Sequence, residues 1–315
     1  MNYKEFCEKV KAAVQAALGN EYCVGLVRTD KLNGLTRQSI VIHKPGEMVA
    51  PNIYLESFFQ EYQSGRQLAS IAGNIIAIYN TADKQPELHG ILFSDFQAMK
   101  DRLYCKLINF ERNAAFLKSI PHIRWMDLAV IFCILVKKNS DGIGSITVKN
   151  DLMERWEVTA DTLYSEALEN TPLLFEASVK PMDEIIRSMA YGQPPASESD
   201  GLLNEAMSDI LQQHSIPWQK QPMYVAGNKS ALNGAVWMLQ KNEVRDLSKK
   251  LDCSLYILPS SVHEVIVVPF TECIPRDTLH RMVQEVNATQ VAPDEFLSDN
   301  VYFYNQEDDT LLPLY

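Results

Sequence analysis

The sequence predicts an α+β fold built on antiparallel sheets, and three observations carry the prediction. Apolar residues recur at helical spacing at the start of the chain, two strand-like runs meet across a turn sequence in the middle, and residues 220–315 read as β-α-β-β-α-β. That last order is the ferredoxin-like pattern, in which two helices cover one face of an antiparallel sheet. Four parts are expected: an N-terminal α-β-β-α-α part over 1–85, a mixed hairpin and helical part over 86–190, a linker-like loop and helix over 191–219, and a C-terminal α+β domain over 220–315.

The elements follow in order. Tyr3, Phe6, Cys7, Val10, Val14, Ala17 and Leu18 repeat at steps of three and four, which puts them on one face of a helix that Gly19 and Asn20 stop. Strands are expected over Tyr22–Arg28 and Gln38–His43, on either side of Asn33-Gly34. Pro51-Asn52 opens a helical stretch over Ile53–Tyr62, and another runs from Leu68 to Tyr79. The span from Leu88 to Ile120 is mixed. Leu128–Val136 and Gly144–Val148 read as a hairpin around Asn139, Ser140, Asp141 and Gly142. Asn150 is expected to cap a short helix through Trp156, and Thr159 another over Ala160–Glu169. The stretch from Tyr191 to Gly201 has linker composition. Beyond it come a strand over Met223–Ala226, a helix over Ala231–Leu251, strands over Leu255–Leu258 and Val265–Phe270, a helix over Arg276–Val286 and a strand over Val301–Tyr304.

Composition narrows the function classes. With 46% hydrophobic and 22% charged residues, the 315-residue chain is neither disordered nor a coiled-coil rod. Its 29 Lys and Arg against 40 Asp and Glu give a net charge of −11, which repels nucleic acid and anionic membrane at long range. No Lys or Arg occurs from Met282 onward, while Glu285, Asp294, Glu295, Asp299, Glu307, Asp308 and Asp309 all do. A solvated acidic face is the plain reading; a surface for a basic partner, with Asp294, Glu295, Asp299, Glu307, Asp308 and Asp309 as its contacts, is the functional one. Six cysteines form no C-x-x-C pair and match no zinc spacing, so no metal or other cofactor is expected. Scattered thiols, no basic-then-apolar leader at Met1, and a longest apolar run too short for a bilayer together predict a cytoplasmic protein.

Two local constellations could carry chemistry. Ser261, His263 and Glu264, with Ser260 beside them, supply a hydroxyl, an imidazole and an acid, the residue types of nucleophilic catalysis. If the segment is extended, Ser261 and His263 share a face and Glu264 points the other way, so a turn leading into a strand is the competing reading. His263-Glu264 also opens an H-E-x-x-H zinc motif, but Val267 stands where the second histidine belongs. Gly227, Asn228, Lys229 and Ser230 fall between a strand and the expected start of a helix, where Asn228, Lys229 and Ser230 would meet an anion at the helix dipole. There the competing reading is a loop with Ser230 as the N-cap.

Four stretches carry a resemblance: Pro51–Gly65 (PNIYLESFFQEYQSG), Met223–Lys229 (MYVAGNK) leading to Asn233–Leu239 (NGAVWML), Leu255–Glu264 (LYILPSSVHE) and Val286–Pro293 (VNATQVAP). Together they resemble, from end to end, a domain-of-unknown-function family common in gut clostridia. More loosely, the succession of middle and C-terminal parts is similar to another family, of bacillar cytosolic proteins. The resemblance implies a bacterial, intracellular protein of the accessory or mobile-gene kind and brings no activity, cofactor or catalytic residue. The function expected is therefore binding of a macromolecular partner, another protein, through the acidic surface. The rival is a hydrolase or transferase using Ser261, His263 and Glu264 with an anion site near Lys229.

Overall fold

The computed structural model describes residues 1–45, 51–81, 93, 95–139, 142–190, 222–271 and 275–314. They divide into two units: residues 1–91 with 136–143, and residues 92–135 with 144–315.

The first unit opens with α1 (Tyr3–Leu18), whose free N–H groups are closed by a capping box. The Asn2 side chain accepts from the Glu5 N–H at 2.9 Å, and the Glu5 carboxylate accepts from the Asn2 N–H at 3.3 Å. Gly19 ends the helix at φ 80°, a conformation that favours glycine. Strands β1 (Cys23–Asp30) and β2 (Thr36–His43) pair antiparallel, with Val24 opposite Ile42 and Leu26 opposite Ile40. The helix expected from Ile53 starts later. Asn52–Tyr54 instead forms a short edge strand, β3, on β2, and α2 (Glu56–Gln63) follows; α3 (Leu68–Thr81) completes the unit. Phe6, Val10 and Val14 of α1 pack with Ile40, Ile42, Ile71 and Ile75, all fully buried.

The second unit begins with α4 (Phe96–Met99), β4 (Leu103–Asn109), α5 (Ala114–Leu117), β5 (His122–Trp125) and the larger parts of β6 (Leu128–Asn139) and β7 (Gly142–Thr147), whose ends at 136–143 count with the first unit. Strand β6 is the centre of this sheet, pairing with β4, β5 and β7. The expected hairpin is present as β6 and β7, though turn residues 140 and 141 lie outside the described residues. Asn150 does not cap α6 (Asn150–Arg155). It is the first helical residue, and its side-chain amide donates to the Lys118 carbonyl at 3.0 Å. Thr159 does cap α7, which runs on to Leu174.

A six-stranded antiparallel sheet forms the rest. Its members are β8 (Ala177–Pro181), which leads into α8 (Met182–Ala190); β9 (Tyr224–Asn228), followed by a 3₁₀ segment (Gly234–Leu239) and α9 (Lys241–Leu251); β10 (Leu255–Leu258); β11 (Val265–Pro269), followed by α10 (Arg276–Thr289); β12 (Tyr302–Asn305); and β13 (Thr310–Pro313). The sheet order is β13-β12-β10-β11-β9-β8. The linker-like stretch expected at 191–219 lies outside the described residues. The α+β class holds, and three details of the expectation change.

First, no helix begins at Ala231. Ala231 and Asn233 hold φ of 52° and 54°, left-handed values that interrupt a helix, and the chain passes through the 3₁₀ segment before α9 starts. Second, the sheet is not covered on one face alone. Every residue of β10 and β11 is buried, so both faces of the sheet are covered. Tyr256, Leu258, Ile266 and Val268 pack with Leu279, Met282, Val283 and Val286 of α10, whereas the buried Val244 and Leu247 of α9 lie outside that cluster. Third, β12 pairs with β10, and β8 and β13 extend the sheet at its two ends. Met182 N–H donates to Met223 O at 2.8 Å, and Leu314 N–H donates to Val301 O at 2.8 Å. Residues alternate in a ladder, so Pro181 and Pro313, one position earlier, point their backbone away from the sheet.

Candidate functional site

Three loops from distant parts of the chain meet at the β9 side of this sheet: residues 228–233, residues 259–264 and residues 292–298. Their crossing depends on Gly234. A Cβ there would stand 2.4 Å from His263 O and 2.9 Å from Asn228 N, closer than real side chains come. With only a hydrogen in the way, Gly234 N–H donates to His263 O at 2.7 Å and Ala235 N–H to Val262 O at 3.2 Å. Asn228 shapes its own loop, accepting from Ser230 N–H at 2.9 Å and donating to Leu232 O at 3.0 Å. The third loop is fastened by Val262 N–H to Glu295 O at 2.8 Å and Leu297 N–H to Ser260 O at 3.1 Å.

The crossing fixes the His263 ring. Asn233 N–H donates to Nδ1 at 3.2 Å, so Nδ1 carries the lone pair and the ring proton sits on Nε2. Nε2 faces Glu295 Oε1 at 3.5 Å. Ser261 Oγ accepts from the backbone N–H of His263 at 3.1 Å. Ser261 and His263 are thus neighbours, but the ring's two nitrogens are directed at Asn233 and Glu295. Ser260 and Glu264 are buried beside them, at 5% and 8% exposure.

The other sequence candidates have partners of their own. Lys229 pairs with Glu176 at 2.5 Å, both side chains exposed, and Ser230 sits in the Asn228 turn with no helix start behind it. Asp299 accepts from Asn287 at 2.7 Å, and Asp308 from Asn305 at 2.7 Å. Asp309 accepts from the Arg245 guanidinium and from Tyr304 O–H at 2.6 Å, and these bonds hold its carboxyl down at about 2. The Tyr304 phenol is pushed up to about 12, by burial first and Asp309 second. Glu307 and Asp308 remain exposed at the β12–β13 turn, and Leu312, opposite Phe303 on β13, is 60% exposed.

One polar centre gave no signal in the sequence. Asp127, in the turn between β5 and β6, accepts from Ser298 O–H at 2.6 Å and from Tyr302 O–H. Tyr302 is fully buried and stacks on Trp125 with ring centroids 5.9 Å apart. Burial, and then the Asp127 charge, pushes its phenol well above the ordinary tyrosine value. Since Asp127 stands among hydrophobic strand residues in sequence, only the fold reveals that it clamps the 298–302 segment.

Fold and site together define an α+β chain whose polar loops are locked to one another by backbone bonds. It belongs to a family of unknown function, DUF5688, whose model matches residues 3–306. No curated protein and no solved structure matches the chain. Among the described residues, no group of three or more His, Cys, Asp or Glu could hold a metal ion, and no helix is long and apolar enough to cross a membrane.

Proposed function

We propose that this protein is a cytoplasmic accessory protein that binds a basic partner protein through the acidic turn between β12 and β13. The exposed pair Glu307 and Asp308 carries the reading, set beside Leu312 at 60% exposure. An acidic turn followed on the next strand by an exposed leucine suits a partner that brings basic residues and an apolar contact. The turn is pre-organised, since Asp309 ties it to Arg245 and Tyr304 and little ordering remains to oppose binding. Asp294, Glu295 and Asp299 belong to the loop at the other end of β12, beside residues 259–262, and are not part of this patch. The described cysteines Cys7, Cys23, Cys105, Cys133 and Cys253 are free thiols, which supports a reducing compartment.

The test is capture of partners from cell lysate by wild type, by the double variant Glu307→Lys/Asp308→Lys and by His263→Ala, at low and high salt. Partner recovery should fall in the double variant and in high salt, where the Debye length shrinks from about 10 Å toward 3 Å, and should survive in His263→Ala. A partner set indifferent to the charge reversals, with a hydrolase or transferase activity lost in His263→Ala, would replace this reading with the catalytic one.

A further inference from the structure

Among the described residues, a cation without a carboxylate partner lies on the sheet formed by β4, β6 and β7. Tyr104 and Lys106, two residues apart, share one face of β4, and Cys133 of β6 is the cross-strand partner of Tyr104. The Lys106 side chain crosses β6, bringing Nζ within 3.2 Å of Ser145 Oγ on β7 and 5.5 Å of the Tyr104 ring centroid. Cys133 Sγ lies 3.8 Å from Thr147 Oγ1. Among the described residues, Lys106 makes no ion pair with a carboxylate.

Tyr104 adds an independent anomaly. It is 2% exposed, and its buried phenol oxygen has no hydrogen-bond partner. The Lys106 ammonium and the Ser145 hydroxyl are near it but outside hydrogen-bonding geometry. Burial works against charge on Lys106, but Cys133 and Tyr104 favour it, and the amine ends above the ordinary lysine value. Burial, followed by Cys133, pushes the Tyr104 phenol up. Around neutral pH the group is therefore an ammonium, a neutral phenol and a hydroxyl. All three can donate, and no anion accepts from them. The buried Tyr104 donor left in this state is costly, and a bound anion would accept from it while meeting the half-buried ammonium.

We propose that Lys106, Tyr104 and Ser145 form a binding site for a small oxyanion of the phosphate class. Lys106 and Ser145 are only half-buried, so a small anion can reach the ammonium from solvent while the phenol donates from the interior side. A lysine head meets such an anion as a point charge with three donors, and the two hydroxyl groups supply direction. The chain's net charge of −11 repels anions at a distance, which sets the expected affinity in the range of ~1 mM and makes it weaken with salt.

The experiment is a calorimetric titration of the full chain with inorganic phosphate, paralleled by unfolding midpoints in phosphate, acetate and chloride at matched ionic strength. Wild type should bind phosphate saturably, and its midpoint should rise as ligand linkage requires. Lys106→Met should weaken binding at least ~10-fold while staying folded, because methionine keeps the apolar stem of a half-buried lysine and removes only its charged head. Tyr104→Phe, which keeps the ring and removes only the orphaned hydroxyl, should weaken binding about 3-fold or more. The site is refuted by absence of saturable binding in wild type, by an unchanged isotherm in Lys106→Met or Tyr104→Phe, or by equal midpoint shifts in all three salts. Saturable binding of acetate but not of phosphate would overturn the assigned class.

Discussion

A methyl group added at position 234 tests the loop crossing directly. Gly234→Ala would push Cβ against the His263 carbonyl and the Asn228 backbone nitrogen, neither of which is a flexible side chain. A loss of ~1–3 kcal/mol or more in unfolding free energy by urea titration is expected, with a shift of the His263 ring resonances. Asp309 makes a second residue-scale prediction. Its folded carboxyl is held down at about 2, below the ordinary aspartate value, so the stability it contributes is complete above about pH 4 and is lost as pH falls toward 2. Asp309→Asn should therefore flatten the dependence of the unfolding midpoint on pH in that window and lower the midpoint at neutral pH. Both sites explain what a sequence reading reaches at this scale. Ser261 and His263 are visible as neighbours, yet the groups that orient the ring, Asn233 and Glu295, come from other loops. Spacing along the chain carries no record of that approach.

Elements with a long apolar period were legible: α1, α3, the β6–β7 hairpin and the core of the C-terminal sheet all stand where periodicity puts them. Misreadings fall where a short segment imitates its neighbour. Asn52–Tyr54 continues the pattern of α2 but pairs with β2, and Thr310–Pro313 is too short and too mixed to read as a strand. The segment from Ala231 has apolar residues at helical spacing, but its burial serves a 3₁₀ segment entered through two left-handed residues. The sign of one substitution separates the two readings. In a helix Ala231→Gly would cost about 1 kcal/mol, whereas at φ 52° it should stabilise by ~0.5–1 kcal/mol because glycine bears no Cβ penalty there. Chemical denaturation of this variant decides it.

Across the whole molecule, thiol accessibility is the simplest probe of both units. Cys23 is exposed, Cys253 is partly buried, and Cys7, Cys105 and Cys133 are buried. Burial raises the Cys7 and Cys253 thiols and lifts Cys105 to about 12, so these groups also lack the reactive thiolate. Under native conditions, without reductant, a thiol reagent should modify Cys23 before Cys253, and Cys7, Cys105 and Cys133 far more slowly; in denaturant every cysteine should react. A folded preparation in which two or three disulfides persist would contradict the cytoplasmic assignment. The net charge of −11 could be read from composition, but not the pairing of its acids, because Asp309, Asp299 and Glu295 each face a partner distant in sequence.

The two outer strands of the large sheet share a detail with a consequence for behaviour in a crowded cell. Pro181 on β8 and Pro313 on β13 each occupy an outward position of the ladder, the place where an N–H would otherwise be offered to a passing strand. Proline has none to offer, and its ring stands in the way. The sheet therefore ends in chain terminators at both sides, as a polymer ends in groups that cannot react further. A second molecule can meet the side chains along these margins, but each edge lacks one of the N–H groups it would need to continue the hydrogen-bonded lattice, which makes the sheet a poorer template for growth.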